Sequence, residues 1–219
     1  MDDKYETNEQ QREFWSGKFG DFYINRNKSI DEVNESYEKE TGVTIEEIFH
    51  KFFDKIERKS KILELGCNVG LNLEILQKMG FGNLYGLELN KKALKIARER
   101  YPKFTFINSS IEDYESKTTF NLVYTAGVLI HINPLILNSI IKKIISLTKE
   151  YIFGFEYYAD RLVEIKYRGY SNVCWKQNFP LLFQQLFNDI DVVKEEKFHY
   201  KNKDLTDIAY LLRKKQIKF

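Results

Sequence analysis

A short apolar run, Ile62-Leu63-Glu64-Leu65, enters the turn Gly66-Cys67-Asn68-Val69-Gly70, and Leu71 opens a second apolar series. A strand that runs through a glycine turn into a helix lets a ligand approach the backbone closely, because glycine carries no side chain and accepts positive φ. Asn68 fits such a turn, since asparagine is among the few other residues that tolerate the left-handed region. The helix that follows offers free N–H groups and a partial positive charge. Glu88 ends the next apolar run, 18 residues beyond Gly70, with Leu89 beside it. A carboxylate there can accept two hydrogen bonds from a ribose diol. Turn and acid together describe a seat for a nucleoside. The spacing excludes two other seats. Gly-x-Gly-x-x-Gly would need glycines at Asn68 and Leu71, and the phosphate loop Gly-Lys-Ser/Thr is absent.

Three further groups belong to the same chemistry. Asn108-Ser109-Ser110-Ile111-Glu112 follows a third apolar run, where Ser110 can bond an exocyclic amine and Ile111 can cover a ring face. Thr125 to Pro134 follows a fourth run and contains Ala126 and His131. The unperturbed pKa of histidine, about 6.5, suits a general base, and a histidine that only packs a pocket is the alternative. Glu156 ends a fifth run and is the second candidate base, with Tyr157 and Tyr158 after it.

These positions imply an α/β architecture. Five runs, at 62–65, 84–88, 104–107, 120–124 and 151–156, alternate with helical patterns at 71–79, 91–100 and 134–148. Such alternation predicts right-handed crossovers and a mostly parallel sheet, whose carboxyl edge gathers all the candidates. Two later runs, 191–199 and 206–212, predict an antiparallel edge pair. Residues 1–59 read as a helical cap or lid and 60–219 as the sheet domain. Ser29 with Glu32 and Thr44 with Glu47 mark two helix starts, and two glycines with two asparagines make 17–27 a loop. Asp21, Tyr23, Arg26 and Asn27 on that loop are substrate-binding candidates that can fold over the mouth of the site, and the cations Arg26, Lys166 and Arg168 suit an anionic acceptor.

Glu64-x-Gly66-x-x-x-Gly70 resembles the first motif of class I S-adenosylmethionine (SAM)-dependent methyltransferases. A closer resemblance is carried by Phe14 to Asn27, Leu63 to Leu73, Gly127 to Pro134, Glu156-Tyr157-Tyr158 and Tyr167-Arg168-Gly169. Those stretches look like the pseudaminic acid biosynthesis-associated methylases. The resemblance implies a Rossmann-like seven-stranded sheet with an N-terminal helical extension. It implies SAM as cofactor and S-adenosylhomocysteine (SAH) as product, held by Glu64, Gly66, Cys67, Asn68, Gly70, Glu88, Leu89, Ser110, Ile111 and Ala126. It implies transfer of a methyl group to a sugar, sugar nucleotide or related surface-glycan precursor. Ser110 departs from the aspartate often found there, and the Asn/Asp-Pro-Pro-Tyr pattern of amino-group methylation is absent, which counts against nucleobase and glutamine acceptors.

Composition narrows the remaining classes. Lys plus Arg number 34 against 32 Asp plus Glu, a net charge of +2, which argues against a nucleic-acid partner. An RNA methyltransferase and a non-enzymatic SAM-binding protein stay as alternatives. Two cysteines and three scattered histidines give no metal-ligand spacing. No apolar run approaches the roughly 18 residues of a membrane span, and the polar start Met1-Asp2-Asp3-Lys4 is not a secretory signal. The expectation is a soluble cytoplasmic protein acting on a small molecule, with no membrane partner. Oligomeric state is not legible.

Overall fold

The computed structural model describes residues 7–26 and 29–215. Four helices come first: α1 (Asn8–Ser16), α2 (Lys18–Tyr23, continued by a 3-10 turn Ile24–Arg26), α3 (Ile30–Thr41) and α4 (Ile45–Phe53). The alternating part follows as β1 (Lys61–Leu65), α5 (Leu71–Lys78), β2 (Asn83–Glu88), α6 (Lys91–Arg100), β3 (Thr105–Asn108), β4 (Phe120–Ala126), a 3-10 turn Leu129–His131, α7 (Pro134–Leu147) and β5 (Thr148–Tyr157). The tail contributes a small hairpin β6 (Val163–Glu164) and β7 (Trp175–Lys176), then α8 (Phe179–Leu186), β8 (Ile190–His199) and β9 (Thr206–Lys214). Among the described residues, no helix is long and apolar enough to cross a membrane.

The sheet has seven strands in the order β3-β2-β1-β4-β5-β9-β8. β1 to β5 are parallel, and β9 runs antiparallel to both its neighbours. This is the Rossmann-like, mostly parallel sheet that the motif resemblance implied. The antiparallel strand lies between β5 and β8, so β8 forms the outer edge. Register aligns Leu65 with both Leu87 and Thr125, and Ala126 with Phe155. The turns after β1, β2, β4 and β5 therefore open at one edge.

Two apolar layers flank the sheet. α7 and α8 cover one face with Ile141, Ile144 and Phe183, and α4 to α6 cover the other. α4 starts at a capping box between Thr44 and Glu47 and buries Ile48, Phe49, Phe52 and Phe53 at helical spacing. Phe53 stacks on Phe49 at 5.2 Å and meets Phe153 of β5 edge-on at 4.9 Å. The N-terminal helices and the sheet thus share one core.

The 17–27 segment departs from the loop reading. Gly17 ends α1, but 18–26 are helical. Gly20 is there for space: a Cβ would lie 1.7 Å from the Trp15 carbonyl oxygen. Glycine marks a close approach here, a use that reads in sequence like a turn. Phe53→Ala is expected to cost about 3–5 kcal/mol in urea unfolding, as for other fully buried phenylalanines.

Candidate active site

A cavity of about 380 Å³ lies at the carboxyl edge of the sheet. Its floor is the β1 turn. Gly66 has φ 72°, Asn68 φ 47° and Gly70 φ 85°, so all three hinge residues are left-handed. A Cβ on Gly66 would meet Val128 Cγ2 at 2.6 Å, so only glycine lets the two turns close against each other. The N–H groups of Gly66 and Cys67 both bond the Leu87 carbonyl, at 2.8 and 3.0 Å. Glu88 finishes the clamp. Its Oε2 accepts the Asn68 N–H at 2.9 Å and its Oε1 the Asn90 N–H at 2.7 Å. Burial raises the pKa of this carboxyl, while those N–H donors pull it back. Each oxygen keeps lone-pair capacity for further donors.

The cofactor candidates divide. Gly66, Cys67, Asn68, Glu88, Leu89, Ser110, Ile111 and Ala126 line the cavity. Glu64 and Gly70 do not: Glu64 lies in β1 ahead of the turn, and Gly70 is the turn's last hinge. Glu64 is 1% exposed, accepts from Asn72 Nδ2 at 2.7 Å, and stands opposite Tyr124 in the β1–β4 register. Ser110 Oγ donates to Asp113 Oδ2 at 2.8 Å and accepts the Asp113 N–H, so the hydroxyl proton is committed to its own turn. The cavity fits a nucleoside cofactor on one further count. Asn68 Oδ1 is buried without a hydrogen-bond partner among the described residues, and its residue lines the wall. A buried acceptor left open there is costly unless a ligand donor meets it.

His131 is buried beside the cavity. Its Nδ1 lies 2.7 Å from the Val173 carbonyl oxygen. A carbonyl only accepts, so Nδ1 carries the proton and Nε2 holds a lone pair. Burial first, then the Arg26 charge, pushes its pKa down to about 4. The imidazole is therefore neutral at pH 7. Trp15 and Tyr167 pack on it at ring distances of 4.5 and 4.8 Å. The Trp15 indole N–H has no acceptor among the described residues.

Glu156, the second candidate base, lines the cavity with its oxygens already taken. Oε1 accepts the N–H groups of Val128 and Leu129 at 3.2 and 3.1 Å, and Oε2 that of Ile130 at 3.3 Å. It is a positioning residue that holds the turn carrying His131. Burial still lifts its pKa to about 7.

The acceptor candidates also divide. Tyr23, Arg26 and Tyr157 line the cavity. Arg26 Nη1 donates to the Tyr23 hydroxyl at 2.7 Å. Asp21 instead anchors α2 to the start of α6, accepting from Asn90 Nδ2 at 3.0 Å and pairing with Lys92. The Lys92 hydrogen bond lowers its pKa. Tyr158 lies outside the cavity, bonded to Asp160 and covered by Lys197. Tyr158 comes just after the end of β5, where the chain has left the strand that carries Tyr157. Arg168 sits at the outer surface. It takes φ 49° in the tight turn Tyr167–Tyr170, with its guanidinium over the Tyr23 and Tyr167 rings. Lys166 is exposed in the same insertion and does not line the cavity. Asn27 lies outside the described residues.

α1 and α2 cover the opening from above. Arg12 pairs with Asp113, and Gln11 Nε2 donates to the Asn172 carbonyl at 3.1 Å, so α1 spans from the Ser110 turn to the insertion. Among the wall residues that sequence reasoning missed are Tyr37, Tyr200 and Asp207. One signal was available, an aspartate at the head of the otherwise apolar run 206–212. Among the described residues, no group of three or more His, Cys, Asp or Glu side chains could hold a metal.

Residues 62–151, fewer than half of the chain, match the family model described as a methyltransferase domain. Searching the curated proteins finds no match. Among solved structures, the chain is similar to magnesium protoporphyrin IX methyltransferase (ChlM) from Synechocystis PCC 6803 with bound SAM. The TM-score is 0.67 at 13% identity, covering 93% of this chain and 94% of that one. It is also similar to PH0226 protein from Pyrococcus horikoshii OT3, with TM-score 0.63, 20% identity, and 88% and 93% coverage. A third is Burkholderia thailandensis 1,6-didemethyltoxoflavin-N1-methyltransferase with bound 1,6-didemethyltoxoflavin and S-adenosylhomocysteine, with TM-score 0.62, 14% identity, and 78% and 76% coverage. At these identities the likeness is one of fold.

The buried Glu64 yields a stability prediction. Burial pushes its pKa from 4.5 up to about 8, with the Asn72 bond opposing. The folded chain thus holds this proton more tightly than the unfolded one, and the group's contribution is lost as pH rises through about 8. Glu64→Gln keeps the acceptor for Asn72 and removes the titration. Its unfolding free energy, measured in urea, should gain on the parent's between about pH 5 and 8 and then level off.

Proposed function

We propose that this chain, a SAM-dependent methyltransferase by its methyltransferase domain and its fold, methylates an oxygen of a small polar acceptor. The acceptor class we favour is a sugar, sugar nucleotide or related anion, in line with the resemblance to the pseudaminic acid-associated methylases. The observation that carries the reading is a single cavity that joins the glycine turn and Glu88 to a neutral His131 and to Arg26.

The roles follow from the chain's own atoms. Gly66, Cys67, Asn68, Glu88, Leu89, Ile111 and Ala126 would hold the cofactor, which supplies an activated methyl group when bound. Glu88 accepts the ribose hydroxyls with the lone pairs that the Asn68 and Asn90 N–H groups leave free. His131 Nε2 accepts the proton of the acceptor hydroxyl, while the Val173 carbonyl keeps the ring in the required tautomer. Glu156 fixes the 128–130 backbone and so the position of the ring. Arg26 holds the acceptor's anionic group with the guanidinium N–H donors that Tyr23 does not use. The N-terminal helices act as a lid that excludes water. A methyl transfer needs alignment above all, and fixed geometry can supply about 7–11 kcal/mol of the barrier.

Calorimetry with SAM and SAH tests the reading directly, and no heat with either would overturn it. Glu88→Ala should weaken both by about 10- to 100-fold, the loss of hydrogen bonds to a charged acceptor. His131→Ala should keep SAM affinity and lower turnover by about 10²–10⁴-fold, measured as radiolabel transferred from methyl-labelled SAM.

A further inference from the structure

Asp207 lies at the head of β9, beside Tyr157 of β5 and far in sequence from the cofactor turn. It is 4% exposed and lines the same cavity. Its Oδ2 accepts two phenolic hydroxyls, from Tyr37 of α3 at 2.9 Å and from Tyr200 at 3.1 Å. Its Oδ1 is buried with no hydrogen-bond partner among the described residues. The two phenols therefore fix the carboxyl plane and leave one oxygen without a donor, at the wall of the cavity. A bare carboxylate oxygen in a buried place costs several kcal/mol of lost hydration unless a donor arrives. Burial pushes the pKa up to about 7, against the pull of both tyrosines. The surrounding wall is aromatic, with Tyr157 and Phe155 alongside. Arg26 lines the same cavity.

We propose that Asp207 Oδ1 is a specificity site for the methyl acceptor, taking a hydroxyl or ammonium N–H of the same molecule whose anionic group Arg26 holds. This rests on the methyltransferase reading and narrows its acceptor. The molecule must carry a negative group and, apart from it, a hydrogen-bond donor. An acceptor lacking that donor leaves the buried oxygen unpaired, and sites built around such a group reject the analogue strongly. Fatty acids and aromatic acids without a second polar group fail this requirement, and phosphorylated or nucleotide-linked polyols and amino sugars satisfy it. Asp207 is a binding residue here, and no proton transfer is assigned to it.

The test is calorimetry on the SAH complex with three probes: inorganic phosphate, glucose 6-phosphate and glucosamine 6-phosphate. The parent protein should bind one or both sugar phosphates about 10- to 100-fold more tightly than inorganic phosphate. The better of the two identifies the donor as hydroxyl or ammonium. In Asp207→Asn the amide oxygen can take both tyrosine hydroxyls, while the NH₂ group faces the cavity with the wrong polarity. That variant should lose the preference and keep its affinities for SAH and inorganic phosphate. Equal binding of all three probes by the parent, or none, overturns the proposal whether or not the variant folds. An unchanged preference in Asp207→Asn overturns it too, as does weakened SAH binding there, which would assign the carboxylate to the cofactor. Absence of heat with SAH in the parent would sink the methyltransferase reading itself, a separate result.

Discussion

A parallel strand that ends at a sheet edge leaves backbone N–H groups pointing into the crevice, and each must find an acceptor. This constraint organises the whole carboxyl edge. The turn after β1 is satisfied by the Leu87 carbonyl and the Glu88 carboxylate, both from the neighbouring strand. The turn after β4 is satisfied by Glu156, again from the next strand. In each case an acid at the end of one strand holds the exit of its neighbour. The acids need the sheet register to reach their partners, and the turns need the acids to keep their shape. Ligand-facing geometry is thereby tied to the core, since any slip of β1 against β2 would separate Glu88 from Asn68.

The same edge sorts its titratable groups by what already satisfies them. His131 stays neutral because burial and a nearby guanidinium both oppose a second proton. Glu156 is buried as deeply, but three N–H donors partly support its charge. Asp207 has two phenols on one oxygen and, among the described residues, nothing on the other. Three groups with similar exposure therefore do different work, and only their hydrogen-bond partners separate them.

Much of this was legible in the sequence, because local signals and global fold agreed. The glycine turn and the capping boxes depend on neighbours within a few residues, and the five strands and the acid at 88 are marked by the spacing of apolar runs along the chain. The failures share a physical cause. Gly20 looks like a turn former because sequence does not distinguish free rotation from tight contact with a carbonyl. Glu156 has the chemistry of a ligand-binding group, yet its oxygens are met by the 128–130 N–H groups, which only the folded chain brings within reach. Tyr158 was read with Tyr157 by adjacency, but it comes after the end of β5 and is bonded to Asp160 and covered by Lys197. Asp207 and Tyr37 lie 170 positions apart, and no local pattern joins them.

Trp15 carries one more consequence. Its indole lies against the His131 ring at the cavity wall, with the N–H unanswered among the described residues. The chain has two tryptophans, and the other, Trp175, is buried away from that wall. Indole emission depends on the polarity and hydrogen bonding around the excited ring. The protein therefore contains a native fluorophore placed where incoming molecules alter its surroundings, with a second, sheltered one as internal reference. Loading of the crevice can be followed optically without any label.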